Sequence, residues 1–352
     1  MEPRDRVEAV LRGDIPDKIP FTCYEQFIPK SDIDRKLREL GLCYIYMDFP
    51  YMGVNTLTPN CDLKTILYTD KNDGKNYKKT IVETPKGELS TLIEDAGFTV
   101  WVHEYMYKSA GDFESLKAYI EDMRFEAPEG EVNGFRELYG SDCFVQPCVG
   151  FSPLMDLIIM WMGTERFSYE WVDNLGKIEE LMECLHRRDL RLMEALCKTD
   201  LPVINYCGNI SPKIVGRERA EKYIFPVFKE VADIVHKAGK KLAVHFDDNC
   251  QIYWDLIAES DIDIIEAFTP SPDTDTTTKQ AREMWADKIL WVNFPSSQHW
   301  APNNVIEDIV KRIIDENGRK DKLLIGITED MPPTEWKRSM YAIAEAIDKI
   351  RF

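Results

Sequence analysis

Positive charge is scarce in this chain. Its 352 residues carry 44 lysines and arginines against 62 aspartates and glutamates, a formal net charge of −18. Phosphate-rich partners would be repelled, which disfavours nucleic acid and anionic membrane and points to a small molecule or another protein. Long apolar runs are absent too. No stretch of about eighteen apolar residues occurs, and the opening "MEPRDRVEAVLRGDIPDKIPF" has no signal-peptide core. A soluble, cytoplasmic protein is expected. No GxGxxG or GxxxxGKS/T follows an apolar run, which argues against dinucleotide and P-loop chemistry. The cysteines (23, 43, 61, 143, 148, 184, 197, 207 and 250) include no CxxC pair and no structural-zinc spacing, and they read as reduced thiols, most of them small core residues.

What is present is a core. Apolar residues make up 44% of the chain, and the length suits one large α/β domain or two modest ones. Residues 4–12 place Val7, Val10 and Leu11 at helical spacing before Gly13, which predicts an N-terminal helical cap leading to a strand at 20–25. Residues 62–107 read as antiparallel β-hairpins, with "TPKGE" as a turn. From about 141 the apolar runs "CFVQPCV", "PVINYC", "KLAVHF", "IDIIEAF", "ILWVNFP" and "KLLIGIT" alternate with helical patterns at 153–162, 173–198, 217–238, 251–258, 303–316 and 334–349. With "IPFTCYE" and "CYIYMDFP" upstream the strands approach eight. This predicts an α/β fold, a single (β/α)8 TIM barrel domain over 1–352 with a β-hairpin insertion at about 62–107.

In such a barrel the reactive side chains stand where strands end. Those ends supply Asn205, Tyr206 and Cys207; His245, Asp247 and Asp248; Glu266; Asn293; and Thr328, Glu329 and Asp330. Each has a structural alternative, since Asp247 or Asp248 could cap the helix near 251 and Glu329 or Asp330 the last one. Together, carboxylates interrupting several buried runs at one rim point to a metal or acid/base site, because unpaired charge there is costly. The other histidines carry less weight: His186 and His236 lie on amphipathic helices, His103 in the hairpins and His299 in a loop.

The opening "RDRVEAVLRGDIPDKIPF", "SPLMDL", "ERAEKYIFPVFKEVADIVHKAGKKLAVHFDDN" and "GITEDMPPTEWKRSMYAIAEAI" resemble the uroporphyrinogen decarboxylase superfamily over most of the chain. True decarboxylases of that superfamily carry an arginine-rich motif that grips the substrate carboxylates. The corresponding "FTCYEQFIPKSD" has no arginine, so the corrinoid-dependent methyltransferase branch is the better match. Its thiol-methylating members bind zinc through His-x-Cys and a later Cys. Here His245 matches the histidine, while Asp247 and Glu329 stand at the cysteine positions.

Carboxylates make a harder, more Lewis-acidic site than thiolates. "IIEAFTPSPDTD", "YKSAGDFESLKAYIED" and "GITEDMPP" look like the ether-cleaving members, the methyltransferase I component of O-demethylases acting on methoxylated aromatics. The resemblance implies zinc held by His245, Glu266 and Glu329, with Asp247 as a fourth ligand or a support behind them. Catalysis would fall to His245, Asp247 and Glu329, and substrate contact to Asn205, Tyr206 and Asn293. The sequence has no DxHxxG motif, so the corrinoid is expected on a separate protein. Three alternatives stand beside this reading: methyl transfer from the corrinoid to tetrahydrofolate or another acceptor, a metal-free uroporphyrinogen decarboxylase, and a non-catalytic barrel that chaperones a corrinoid protein.

Overall fold

Eight short runs rich in valine, isoleucine, leucine and aromatics form the strands of the barrel: β1 (Phe21–Tyr24), β2 (Leu42–Tyr46), β3 (Cys143–Val145 and Cys148–Phe151), β4 (Val203–Cys207), β5 (Lys241–His245), β6 (Ile264–Phe268), β7 (Ile289–Asn293) and β8 (Leu323–Ile327). This computed structural model describes residues 1–47, 54–97, 99–127 and 140–352; the expected strand residues 48–50 and hairpin residue Phe98 lie outside them. The described residues of the chain fall into two compact units. One comprises residues 1–47, 140–150 and 197–352, the other 54–97, 99–127 and 151–196.

The first unit is the barrel. Parallel pairing runs from β2 through β1 and β8 to β4. The third strand closes the ring in two halves, its first half pairing with β2 and its second lying beside β4. Pro147 has no N–H to give and interrupts the ladder between them. Around it the Gln146 N–H still donates to the Tyr46 carbonyl at 3.1 Å, and the Pro147 carbonyl accepts from the Asn205 N–H at 2.9 Å. The expected (β/α)8 fold is therefore present.

One apolar cluster fills the barrel interior: Tyr24, Cys43, Ile45, Phe144, Val203, Ala243, Ile264, Ile289, Trp291 and Leu324. The N-terminal helix Pro3–Arg12 adds Val7, Val10 and Leu11 to the same cluster, as expected of a cap. Deeper in, the Trp291 indole N–H donates to Thr22 Oγ1 at 2.8 Å. A Cβ on Gly326 would lie 2.7 Å from that oxygen, so the close approach requires glycine. Side chains alternate along a strand, so two residues beyond Phe144, Val203, Ala243, Ile264 and Trp291 the next inward positions are Gln146, Asn205, His245, Glu266 and Asn293. The carboxyl ends of the strands thus carry a polar layer above an apolar core.

Two sequence expectations need correction. The single helix expected over 217–238 is two, Pro212–Tyr223 and Phe225–Lys237, because Pro226 lacks the N–H that would continue the first across Ile224. Nor are all the cysteines reduced. Cys148 and Cys207, on the adjacent strands β3 and β4 with Cα atoms 6.0 Å apart, form a disulfide, within the range a bridge requires.

The second unit contains the expected hairpins as a four-stranded antiparallel sheet: Asp62–Thr69, Asn76–Thr84, Gly87–Asp95 and Val100–Glu104. Val82 and Leu89 pair directly across two of its strands and are buried, as are Leu116 and Ile120 on the helix Phe113–Asp122, which touches those strands. Helices Gly163–Asp173 and Leu175–Cys197 follow, and the Arg188 guanidinium reaches Asp156 at 2.8 Å.

His299, expected in a loop, is fully buried in the short turn Ser296–Trp300. Its Nδ1 lies 2.6 Å from Ser339 Oγ, and its ring meets the edge of Phe294. Burial and then the Arg338 guanidinium push its pKa down to about 4. Between its ordinary value near 6.5 and that value, the unfolded chain binds a proton the folded one refuses, so stability is lost as pH falls through this window and is unaffected above it. At about 1.4 kcal/mol per pH unit, the wild type should lose about 2 kcal/mol more than His299→Gln between about pH 7 and pH 5. Urea midpoints measured at both pH values check this, and equal losses would mean that His299 is not held neutral.

Candidate active site

His245 ends β5 directly opposite Glu266 in the register of β6. The two side chains therefore meet at one level of the barrel mouth: His245 Nδ1 lies 2.6 Å from Glu266 Oε2. Glu266 is completely buried, and its other oxygen accepts from the Tyr24 hydroxyl at 2.6 Å, so both oxygens are engaged. A local irregularity helps to aim it. The register of β6 against β7 shifts between Ile265 and Phe268, and Ala267 adopts φ 58, a left-handed conformation uncommon for a residue with a Cβ.

With Nδ1 committed to Glu266, the opposite nitrogen faces the mouth. Nε2 lies 3.7 Å from Asp247 Oδ2 and 3.7 Å from Glu329 Oε1. Ligand atoms of His245, Asp247 and Glu329 all fall within 4.8 Å of one another. Neither capping alternative holds, because the turn after Asp248 begins at Asn249 and the last helix at Glu335, both without a side-chain cap. Glu329 Oε1 is buried and has no hydrogen-bond partner among the described residues.

The electrostatics are those of three carboxylates around one imidazole. Among the described residues no lysine or arginine is paired with Asp247, Glu266 or Glu329. Burial works against charge on His245, but the Glu266 and Asp247 carboxylates outweigh it and hold its pKa well above the ordinary value. Burial raises the pKa of Asp247 as well, and the imidazole more than offsets this, leaving it lowered. Glu329 is pushed up to about 7, by burial first and by Asp247 and Glu266 beyond what His245 restores.

A zinc ion is compatible with this donor set. Tetrahedral ligands at about 2.1 Å stand about 3.4 Å apart, close to the two 3.7 Å separations from Nε2. Three protein ligands with a fourth position open is the catalytic pattern, and a carboxylate on the far ring nitrogen is the usual support of a ligating histidine. In this arrangement Asp247, not Glu266, stands beside His245 and Glu329, and Glu266 stands behind the imidazole.

The residues expected to touch substrate divide. Asn205 faces into the barrel, and neither polar atom of its carboxamide has a hydrogen-bond partner among the described residues. Asn293 is spent on structure, donating to Thr269 Oγ1 at 3.1 Å and accepting from the Thr328 N–H at 3.0 Å. Tyr206 points outward, its ring edge against Phe228. Tyr24 and Gln146 were missed, although the inward alternation from Phe144 marks Gln146. A cavity of about 450 Å3 lined by His236, Lys241, Asp263 and Lys288 opens at the amino ends of the strands, the end opposite the site.

Gly208, just past β4, fixes the position of His245. A Cβ there would overlap the His245 carbonyl oxygen and lie 3.2 Å from Val244 Cγ1. Gly208→Ala must therefore displace the end of β5, and should weaken zinc binding at least about tenfold, about 1.4 kcal/mol. Competition with a zinc-chelating dye measures this; affinity equal to that of the wild type would show that His245 tolerates the shift.

A family model for uroporphyrinogen decarboxylase (URO-D) matches residues 149–350. No curated protein matches the sequence. Among solved structures, a methyltransferase from Methanosarcina mazei is 13% identical, covers 99% of this chain and 99% of its own, and has a TM-score of 0.59, a likeness of fold. A B12-independent methionine synthase from Shewanella sp. W3-18-1 is 11% identical over 90% of this chain and 85% of its own, with a TM-score of 0.44. The family match takes in His245, Asp247, Glu266 and Glu329 and covers more than half of the sequence: the chain belongs to the uroporphyrinogen decarboxylase family.

Proposed function

We propose that the protein is a methyltransferase that moves a methyl group from a small methylated donor, an aryl methyl ether, to the cobalt of a separate corrinoid protein. The observation that carries this reading is the group His245, Asp247 and Glu329 at the barrel mouth, a cation-seeking set with no thiol in it. Membership of the family supports it, as does the fold shared with a protein described as a methyltransferase. Decarboxylation of a polycarboxylate is disfavoured by three carboxylates at the mouth and by the absence of arginine from residues 21–32.

Zinc bound by His245 Nε2, Asp247 and Glu329 would take up the charge that develops on the ether oxygen as the methyl group leaves. The chain supplies orientation. Glu266 accepts a hydrogen bond from Nδ1–H, so that the Nε2 lone pair faces the mouth once the imidazole gives up its second proton, while Tyr24 holds Glu266 in place. Glu329, raised to about 7, is poised to hold or give up a proton there at neutral pH. The same property favours a second, metal-free reading, in which protonated Glu329 delivers its proton to the departing phenolate oxygen.

Metal analysis and cobalt spectroscopy separate the two. Anaerobic mixing with a reduced corrinoid protein and a panel of methoxyaromatics, methylamines and betaines should give the Co(I) to methyl-Co(III) change with a methoxyaromatic. No change with any methoxyaromatic would overturn the proposed donor. His245→Ala should remain folded and slow methylation from an electron-rich ether about a thousandfold, about 4 kcal/mol. Near-wild-type rates in that variant without metal would leave the proton-donor reading.

Metal binding should also depend on pH. Protons on His245 and Glu329 compete with the ion, so affinity should rise with pH, by at least about tenfold from pH 6 to pH 7. In Glu329→Gln the affinity should fall and this slope should become shallower. An unchanged slope would remove Glu329 from the ligand set.

A further inference from the structure

Gln146 and Asn205 are two primary carboxamides on neighbouring strands, linked through the Asn205 N–H to the Pro147 carbonyl at 2.9 Å. Both are essentially inaccessible, at 0% and 1% exposure. Neither Oε1 nor Nε2 of Gln146, nor Oδ1 nor Nδ2 of Asn205, has a hydrogen-bond partner among the described residues. Their backbone neighbours Phe144 and Val203 belong to the interior cluster, whereas Val145 packs outward with Leu201 and Tyr46. Alternation therefore aims both carboxamides into the barrel, in the polar layer that holds His245 and Glu266.

A buried polar group left unpaired is strongly unfavourable, and here the donor and acceptor groups of two carboxamides are left so among the described residues. We infer that Gln146 and Asn205 form a neutral recognition site for an uncharged hydroxyl-type group on the ligand, one that donates and accepts hydrogen bonds at once. A carboxylate accepts only; it would satisfy the two NH2 groups, strand the two carbonyl oxygens, and meet Asp247, Glu266 and Glu329 in the same layer. An ammonium group donates only and would strand the NH2 groups. A hydroxyl gives its proton to one carboxamide oxygen and accepts from the NH2 of the other. The pair thus sets specificity and stands apart from the groups that handle the reacting oxygen. This inference rests on the methyl-donor reading above: on an aryl methyl ether, the site calls for a free hydroxyl elsewhere on the ring.

The test is direct binding by calorimetry, with 2-, 3- and 4-methoxyphenol, methoxybenzene and the three methoxybenzoates as probes. At least one methoxyphenol should bind the wild type about tenfold or more tightly than methoxybenzene, and the methoxybenzoates should bind worst. Asn205→Leu and Gln146→Met, close in shape but without the amide, should abolish that preference. Preference retained in both variants would overturn the inference and assign the carboxamides to internal water. So would a wild type that prefers methoxybenzene or a methoxybenzoate, a comparison that stands even if a variant fails to fold. No cobalt enters these measurements. Selective binding without methyl transfer would overturn the methyltransferase reading alone, and transfer without selectivity would overturn this one alone.

Discussion

The bond between His245 Nδ1 and Glu266 Oε2, at 2.6 Å, is the contact on which the site depends. A carboxylate with no exposed surface is tolerated only when its oxygens are satisfied, and Glu266 is satisfied by His245 on one side and Tyr24 on the other. These partners come from β5 and β1. β1 neighbours β2 and β8, so the Tyr24 to Glu266 bond crosses the barrel interior instead of following the ladder. The polar layer therefore ties opposite walls of the mouth together. It also fixes which imidazole nitrogen looks outward: Nε2 faces Asp247 and Glu329, as an N–H while the ring is protonated and as a lone pair once that proton is lost.

The barrel seam imposes a second constraint at the same level. Pro147 removes a donor from the ladder where β3 changes neighbours, and the disulfide from Cys148 to Cys207 links β3 and β4 directly beyond that point. Asn205 lies between these features, with its N–H bound to the Pro147 carbonyl and Cys207 two residues on. Both carboxamides sit at this seam, Gln146 just before Pro147 with its N–H on the Tyr46 carbonyl, and Asn205 beside it.

Much of this was legible in the sequence, because polar residues at the ends of apolar runs are conspicuous. The run "LAV" followed by His245 and Asp247, and "LLIGI" followed by Glu329, placed these three at the mouth without any knowledge of pairing. What pairing decides was not legible. Glu266 could be placed at the rim, but only the β5 to β6 register sets it opposite His245, on the side of the imidazole away from Asp247 and Glu329. Tyr206 stood among candidate substrate contacts because the end of β4 was read without its alternation; Val203 and Asn205 face inward, so Tyr206 faces out. Gln146 was passed over inside "CFVQPCV", which reads as one continuous strand. The Cys148 to Cys207 bridge spans 59 residues of chain and becomes visible only once β3 and β4 lie side by side.

Charge connects the site to the molecule as a whole. A chain of net charge −18 gathers three of its carboxylates around one imidazole, and no lysine or arginine pairs with them among the described residues. Such a mouth raises the local concentration of cations and lowers that of anions, before any contact is made. A divalent ion held there offsets most of the three negative charges, and the remaining polar contacts can then be neutral. The unpaired groups nearest the seam are carboxamides and carry no charge. The same field that favours a metal at His245 also discriminates against acidic ligands, so charge selects the class of ligand and the carboxamides discriminate within it.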